Sequence, residues 1–365
     1  MNLSRSTRLA AALAAGSLAL AACGGSDDTG GASASDDTEG LSGTLAGAGA
    51  TSQASAMEGW IAGFQTENED VTVNYDAVGS SGGREQFLSG GTAFAGSDAA
   101  LDEEELTQAE ERCGDGGLIE LPLYISPIAL PYNLPGVDTL NLSPATIAGI
   151  FSQQITTWNA PEIAADNPDA DLPSTAITPV NRSDGSGTTE NFTEYLAAVA
   201  PDVWTEEPSD EWPIAGGEAG DGTTGVVDAV EAAEGAIGYA DASQVRDLGT
   251  VAVGVGEEFV EYSPEAAAAV VENSPRAEGR PEGSLALDLA RDTTESGNYP
   301  IVLVSYSLAC KTYDDAAQAD LVRGFLEYTS SEEGQAAASE AAGSAPISES
   351  LRSDAAEQIE QIGAA

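Results

Sequence analysis

The segment Asn181-Arg182-Ser183-Asp184-Gly185-Ser186-Gly187-Thr188-Thr189 lies between an apolar run that ends at Val180 and a run with helical spacing that reaches Leu196. Its glycines let the backbone turn tightly, and its Ser and Thr hydroxyls can donate hydrogen bonds. The amides that open the next helix have no partner inside that helix, and Arg182 adds positive charge. The segment therefore predicts an anion-binding loop, although a surface turn that ends in a helix N-cap contains the same residue types.

Three other loops repeat the same order of strand, small residues and helix. They lie at residues 49–52, 79–83 and 96–98, and each precedes a segment that we predict to be helical. Strands that alternate with helices predict an α/β fold with mostly parallel sheets. In such sheets ligands bind at the carboxyl ends of the strands. Four similar loops therefore favour an anion site over four unrelated turns.

The composition allows a large core and gives a strongly acidic chain. The chain has 365 residues, of which 42% are hydrophobic and 6% aromatic, so we expect one large domain or two lobes. It has 12 Lys and Arg against 61 Asp and Glu, a net charge of -49. This charge argues against binding of nucleic acid or of an anionic membrane surface through the overall field. It would also slow the capture of an anion at low salt, while its simplest role is to keep the surface soluble.

The N-terminal residues predict export and a lipid anchor. Residues 1–22 have the pattern of a signal peptide, with Arg5 and Arg8 ahead of an apolar stretch at 9–20. Leu20-Ala21-Ala22-Cys23 is similar to a bacterial lipobox, in which the signal is cut on the N-terminal side of the cysteine and the thiol is joined to lipid; an ordinary secretory signal is the alternative. Residues 23–41 are rich in Gly, Ser, Asp and Thr and predict a flexible tether. We therefore expect the folded part outside the cytoplasm, anchored to the outer face of the cytoplasmic membrane.

The remaining cysteines and the absence of histidine limit the chemistry. Cys113 and Cys310 suggest one disulfide in an exported protein, although two buried thiols fit the sequence equally. The chain has no histidine, which excludes a Ser-His-Asp triad, phosphohistidine chemistry and histidine-containing metal sites. We expect no metal and no cofactor.

Several motifs together resemble a known family, the phosphate-binding lipoproteins of the bacterial Pst-type high-affinity phosphate ABC importer. The motifs occur in the family's order and spacing, and they are residues 47–51, 73–75, 79–83, 96–99, 182–188 and 235–239. The resemblance covers nearly everything from Leu45 to about Leu326. It implies a two-lobed, hinged periplasmic-binding-protein-like fold without catalysis, in which each lobe is a mostly parallel sheet flanked by helices. Lobe I would comprise residues 42–124 and 299–365, and lobe II residues 125–298.

The resemblance also implies the ligand residues, which are carried over by motif: Thr51, Ser80, Asp98, Arg182, Ser186, Gly187 and Thr188. Asp184 would pair with Arg182, or cap the following helix, or both. Asp98 would discriminate between ligands, because an ionised carboxylate only accepts hydrogen bonds and repels an anion that brings no proton. Phosphate carries such a proton and sulfate at neutral pH does not. On its own, Asp98 would be read as a solvated loop aspartate.

One local departure concerns residues 52–54, Ser-Gln-Ala, where the family often has an aromatic residue and proline. The entry to the following helix is therefore expected to differ, which weakens the case for Thr51 more than for Asp98 or Arg182.

The expected function is that of a monomeric protein that captures inorganic phosphate between two lobes. It would deliver the ion to a membrane permease that is powered by a cytoplasmic ATPase. Three alternatives stay open: a binding protein for sulfate, molybdate or arsenate, a phosphate-ester hydrolase, and an anchored adhesion or signalling module.

Overall fold

The computed structural model of the protein describes residues 40–365. The predicted signal peptide, the lipid-attachment residue Cys23 and the predicted tether up to residue 39 lie outside the described residues. Within 40–365, no helix is both long enough and apolar enough to cross a bilayer.

The helices between residues 40 and 365 are mostly short and amphipathic. Their bounds are α1 Ala54–Glu67, α2 Ser80–Leu88, α3 Glu103–Cys113, α4 Pro144–Phe151, α5 Pro161–Asp166, α6 Gly187–Val199, α7 Gly222–Ala232, α8 Pro264–Glu272, α9 Ala316–Ser330, α10 Glu332–Ala342 and α11 Glu349–Ile359. In α1 the buried residues Met57, Trp60 and Phe64 recur every three or four positions, as expected of a helix with one face against the core. By contrast, α4 is buried over six consecutive residues, 146–151.

The strands are short except for β4 and β13. Their bounds are β1 Gly43–Gly49, β2 Val71–Ala77, β3 Phe94–Ser97, β4 Leu118–Ala129, β5 Pro131–Tyr132, β6 Leu140–Leu142, β7 Thr178–Arg182, β8 Glu218–Gly220, β9 Ala236–Gly238, β10 Ala240–Asp241, β11 Gly249–Val255, β12 Glu258–Val260, β13 Val302–Cys310, β14 Thr312–Tyr313 and β15 Gly363–Ala364.

Two mixed sheets organise the chain. The first has six strands in the order β10-β4-β13-β3-β1-β2, and the second has seven, in the order β12-β11-β5-β9-β7-β8 with β6 beside β11. A third, small pair joins β14 to β15. The predicted α/β fold with sheets flanked by helices is confirmed.

Strand direction is less uniform than the expected mostly parallel sheets. The strands that carry the predicted loops are parallel, namely β1 with β2 and β3, and β7 with β8 and β9. By contrast, β13 runs antiparallel to both β3 and β4, and β5 runs antiparallel to β9 and β11. The long β13 pairs with β4 over almost its whole length, and both strands are buried throughout.

Within residues 40–365 the chain passes between the two sheets four times, after β4, after β9, after β10 and after β12. Leu130 separates β4 of the first sheet from β5 of the second, and Tyr239 separates β9 of the second sheet from β10 of the first. The lobe boundaries predicted after residues 124 and 298 stay a prediction. The first sheet includes β4 as far as Ala129, five residues beyond the predicted boundary at 124, and it includes β10, which lies within the predicted lobe II.

Cys113 and Cys310 form a disulfide, with their Cα atoms 5.2 Å apart. Cys113 ends α3 and Cys310 ends β13, so the bond attaches a flanking helix to the first sheet. This resolves the alternative between a disulfide and two free thiols in favour of the disulfide.

Candidate functional site

The predicted ligand residues lie at strand ends or in the first turns of helices that belong to both sheets. Ser80 is the first residue of α2, and Asp98 directly follows β3 of the first sheet. Arg182 is the last residue of β7 in the second sheet, and residues 186–188 form the N-cap and first turn of α6. The two sets of loops meet, because side chains from one set bond or contact the other.

The carboxylate of Asp98 lies at the centre of this contact and is almost fully buried, with 3% of its surface exposed. Ser52 Oγ donates to both carboxylate oxygens at 2.8 Å, and Thr188 Oγ1 donates to Oδ2 at 2.9 Å. The backbone amide of Asp98 donates to Ser80 Oγ at 3.1 Å. The structure therefore brings Ser80, Asp98 and Thr188 together and surrounds the acid with hydroxyl groups.

Two opposing effects act on the charge of Asp98. Burial raises the pKa of its carboxyl above the ordinary value, because the buried charge loses its hydration. The hydrogen bonds from Ser52 and Thr188 and the positive charge of Arg182 lower the pKa of the same carboxyl and so offset part of that rise. The ionised form of Asp98 is thus stabilised by specific donors in a site that would otherwise favour the neutral acid.

Arg182 is also buried, and it pairs with both carboxylate oxygens of Asp184 through one edge of its guanidinium. Nε donates to Asp184 Oδ1 at 2.7 Å and Nη2 donates to Oδ2. The amide of Gly222 adds a 3.0 Å bond to Asp184 Oδ1. Although burial raises the pKa of Asp184, the bonds and charge of Arg182 hold it below its ordinary value. Asp184 thereby fixes the orientation of the guanidinium plane.

Ser186 and Gly187 open α6 against the opposite loops. Ser186 Oγ accepts a 3.3 Å bond from Thr189 N and so caps the helix. A Cβ atom on Gly187 would lie 2.8 Å from both Asp98 Cβ and Ser80 Oγ. Only glycine allows the helix N-terminus to approach the loops of the first sheet this closely.

Thr51 lies at a different edge of the contact. Its Oγ1 is 3.0 Å from Thr223 Oγ1 and accepts a 3.1 Å bond from Thr223 N, and its carbonyl accepts a 2.8 Å bond from Gln244 Nε2. It makes no bond to Asp98. The helix α1 begins at Ala54 with Gln53 in the N-cap position, so Thr51 does not cap it. The structure thus places Thr51 as a contact between the two sets of loops.

Three further residues of the site were not among the predicted ligand residues. Ser52 bonds Asp98, and Asn191 Nδ2 donates to the carbonyls of both Asp98 and Gly187 at 2.7 Å. Tyr239 OH accepts a 3.1 Å bond from Arg182 N and is 2.7 Å from Thr189 Oγ1. Asn191 lies four positions after Gly187, one helical turn away, so helical spacing could have indicated it. Tyr239 is the last residue of the motif at 235–239, which was the signal available for it.

The site combines donors from two directions with one guanidinium and one acceptor. Hydroxyl groups, helix amides and Arg182 suit the oxygens of an anion, while Asp98 suits a hydrogen that the anion carries. Among residues 40–365, no group of three or more His, Cys, Asp and Glu residues is arranged to hold a metal ion. The geometry therefore supports binding of a protonated oxyanion.

Comparison with known proteins agrees with this geometry. A family model described as a PBP superfamily domain matches residues 33–333. Phosphate-binding protein PstS 2 of Mycobacterium tuberculosis is 34% identical over 347 residues, which cover 90% of this chain and 91% of that protein. Phosphate-binding protein PstS of Xylella fastidiosa is 32% identical over 305 residues, which cover 81% of this chain and 79% of that protein.

Solved structures share the fold. A high affinity periplasmic phosphate-binding protein bound with phosphate at pH 8.5 superposes with a TM-score of 0.71 at 23% identity, covering 85% of this chain and 92% of that one. Phosphate binding protein from Stenotrophomonas maltophilia gives a TM-score of 0.66 at 22% identity, covering 87% of this chain and 94% of that one. The family model matches most of this chain, and the PstS relatives are more than 30% identical to it over most of their own length. The chain therefore belongs to the PBP superfamily and, within it, to the PstS family of phosphate-binding proteins.

Proposed function

We propose that this protein binds inorganic phosphate between the loops of its two sheets and delivers it to an ABC importer. The single observation that carries the proposal is the buried Asp98 carboxylate, held among hydroxyl donors and facing the charge of Arg182. The relatives named above are phosphate-binding proteins, and the chain matches them over most of their length.

The class of ligand follows from the Asp98 carboxylate, which only accepts hydrogen bonds when it is ionised. An ionised Asp98 gains a hydrogen bond only from a ligand with a proton, and dibasic and monobasic phosphate both have one. Sulfate at neutral pH would place a bare oxygen against the carboxylate, which is repulsive, so the site rejects it by an unfavourable contact. Arsenate is protonated as phosphate is, and only the size of the enclosed site separates the two ions. Molybdate and other oxyanions are the remaining alternatives.

Closure is the second part of the proposal. Ser80 and Asp98 lie on the side of the first sheet, and Arg182 with residues 186–188 on the side of the second. A phosphate ion bonded to both sides favours the closed arrangement, because its contacts with either side alone are fewer. The protein would then present the closed form to a permease whose ATPase is cytoplasmic.

No catalysis is part of the proposal. The chain has no histidine, and the related proteins are named for binding phosphate. A phosphate-ester hydrolase is the rival, and incubation of the purified protein with a chromogenic phosphate ester separates the two functions. Release of the chromophore at a rate that depends on Asp98 or Arg182 would favour the rival.

The anchor completes the proposal. Lipid on Cys23, followed by the tether, would hold a monomer at the outer face of the cytoplasmic membrane. Cys23→Ala should release the protein from the membrane fraction into the medium while leaving phosphate affinity unchanged. Retention of the variant in washed membranes would contradict the anchor but not the binding function.

Calorimetry tests the binding function directly. Titration with phosphate, arsenate and sulfate at two pH values and two salt concentrations should show tight phosphate binding and sulfate binding weaker by at least about tenfold, the effect of one hydrogen bond to a charged group. Phosphate affinity should depend little on salt if local bonds dominate the overall charge of -49. Equal affinity for sulfate, or no phosphate binding, would reject the proposal.

The variant Asp98→Asn tests the acceptor. An amide can donate as well as accept, so the penalty for an unprotonated anion is removed and the preference for phosphate over sulfate should fall about tenfold or more. Asp76→Asn is the matched control, because Asp76 is an exposed carboxylate in strand β2 of the same sheet. Unchanged selectivity in Asp98→Asn would remove Asp98 from the discriminating role.

A further inference from the structure

Ser52 is a fully buried serine directly beside Asp98. None of its surface is exposed, and its Oγ lies 2.8 Å from both oxygens of the Asp98 carboxylate. We propose that Ser52 is a specificity-determining residue that acts through Asp98, holding the carboxylate oriented and ionised before the two sets of loops close. This inference rests on the proposed function and names the residue that sets the selectivity of the same site.

The backbone that carries Ser52 is held by hydrogen bonds to the carbonyls of residues 50–52. Gln244 Nε2 donates to the carbonyls of Thr51 at 2.8 Å and of Ser52 itself at 3.2 Å. The next side chain, Gln53, donates to Tyr75 OH at 3.1 Å, and Tyr75 OH donates to the carbonyl of Ala50 at 3.1 Å. The backbone of this segment is thus held in place, and the hydroxyl, with none of its surface exposed, has no solvent to exchange for the Asp98 carboxylate.

Ser52 and Thr188 approach the Asp98 carboxylate from different sheets. Ser52 follows β1 and Asp98 follows β3, and these two strands pair in the first sheet, where Gly49 lies beside Gly96. Thr188 belongs to α6, which follows β7 of the second sheet. If the two sides separate, the bond from Thr188 is lost and the bond from Ser52 is retained. Ser52 is therefore the donor that prepares the carboxylate in the open form.

The carboxylate keeps free acceptor positions for a ligand. An ionised carboxylate has about four acceptor positions, and one hydroxyl hydrogen from Ser52 and one from Thr188 occupy about two of them. A hydrogen from a bound oxyanion can take one of the rest. Ser52 thus orders Asp98 without saturating it.

The other groups that face Asp98 show why a donor is needed there. Arg182 of β7 favours the ionised carboxylate, whereas burial and the negative charge of Asp241 in β10 oppose it. Tyr75 of β2 and the buried hydroxyl of Ser305 in β13 are the further titratable and polar groups nearby. Without Ser52 the balance moves toward protonated Asp98, and a protonated acid donates its hydrogen to an unprotonated oxyanion such as sulfate.

The test compares Ser52→Ala with Ser52→Thr, which keeps the hydroxyl, and with Ser55→Ala, a serine of α1 that makes no side-chain hydrogen bond to the site. Dissociation constants for phosphate and for sulfate are measured by calorimetry from pH 5 to pH 9. In Ser52→Ala the phosphate preference should fall about tenfold, the effect of one hydrogen bond to a charged group, and its loss on acidification should begin at a higher pH than in the parent protein. Ser52→Thr and Ser55→Ala should keep the parental preference and pH profile.

A double variant distinguishes this role from a merely structural one. In the Asp98→Asn background, Ser52→Ala should change selectivity little, because its effect passes through the carboxylate. If Ser52→Ala does not fold, Ser52→Cys serves instead, since the thiol keeps the size of the side chain and donates only weakly. A parental pH profile and selectivity in the variant would overturn the inference while leaving the binding function intact. Failure of the parent protein itself to bind phosphate would instead overturn the proposed function.

Discussion

Ser81 Oγ donates a 2.6 Å hydrogen bond to Asp210 Oδ2, joining α2 beside the first sheet to the loop that precedes β8 of the second. Arg84 Nη2 reaches the same carboxylate oxygen at 3.2 Å. The backbone carbonyl of Asp210 accepts a bond from Ser186 N, the amide at the start of α6. Asp210 therefore connects the two sides of the site without being one of the predicted ligand residues.

We expect Asp210→Ala to weaken phosphate binding by about 1 kcal/mol, or about fivefold, mainly through faster dissociation. Asp210 is half-buried, so its bonds are partly screened, and Arg84 keeps its 2.7 Å bond to Glu105. Stopped-flow measurement of phosphate release gives the dissociation rate. The control is Asp202→Ala, an exposed carboxylate of the same loop. A parental release rate in Asp210→Ala would show that this connection does not stabilise the closed form.

Arg182→Ala should reduce phosphate affinity by about 2–5 kcal/mol, because it removes a buried charge and leaves Asp184 without its partner. Calorimetry measures the loss. Arg323→Ala is the control, since Arg323 bonds Asp320 at a partly exposed position in α9. If Arg182→Ala bound phosphate almost as tightly as the parent, Arg182 would have no place in the site.

Glu190, in the first turn of α6, makes the stability of the protein depend on pH. Burial raises its pKa to about 7; Arg84 lowers it, while Glu194, Asp210 and Glu105 add to the rise. Because the folded state holds this proton more tightly than the unfolded chain, stability is highest below the ordinary value of 4.5 and falls as pH rises through 7.

Glu190→Gln removes that dependence, so its Tm should equal the parental Tm near pH 4.5 and exceed it by about 2–4 °C at pH 8. Calorimetric or circular dichroism melts at both pH values measure the difference. Burial raises the pKa of Asp241 to about 6, but Asp241 is present in both proteins, so its contribution to the pH dependence cancels in the comparison. Glu272→Gln, at an exposed position in α8, is the control. A difference in Tm that is the same at both pH values would contradict the assignment to Glu190.

The disulfide should stabilise the fold without affecting the ligand. Cys113 and Cys310 are 197 positions apart, so the bond removes much freedom from the unfolded chain, and the double variant Cys113→Ser, Cys310→Ser should lose about 3–5 kcal/mol. Chemical denaturation with and without reductant measures this. Phosphate affinity should be unchanged, because Cys310 lies roughly 13 Å along β13 from Tyr306, which pairs with Ser97. A loss of affinity in the folded variant would contradict that separation.

The sequence specified the parts of the site that depend on local chain properties. Small residues after a strand and before a helix define loops with free amides, and their repetition predicted the regions that the structure brings together around Asp98 and Arg182. The pairing of Arg182 with Asp184 is equally local, since the two residues are only two positions apart. The α/β architecture followed from the alternation of apolar periods along the chain.

Tertiary structure decided which hydroxyl meets which acceptor. Ser52 and Asp98 are 46 positions apart, Thr51 and Thr223 are 172 apart, and Ser81 and Asp210 are 129 apart. The sequence shows that each can donate or accept, but a hydrogen bond forms only within about 3 Å, and the order of strands in the two sheets sets those distances. For the same reason the antiparallel return of β13 between β3 and β4 was not foreseen, because strand direction is fixed by pairing between distant segments and leaves no mark in local periodicity.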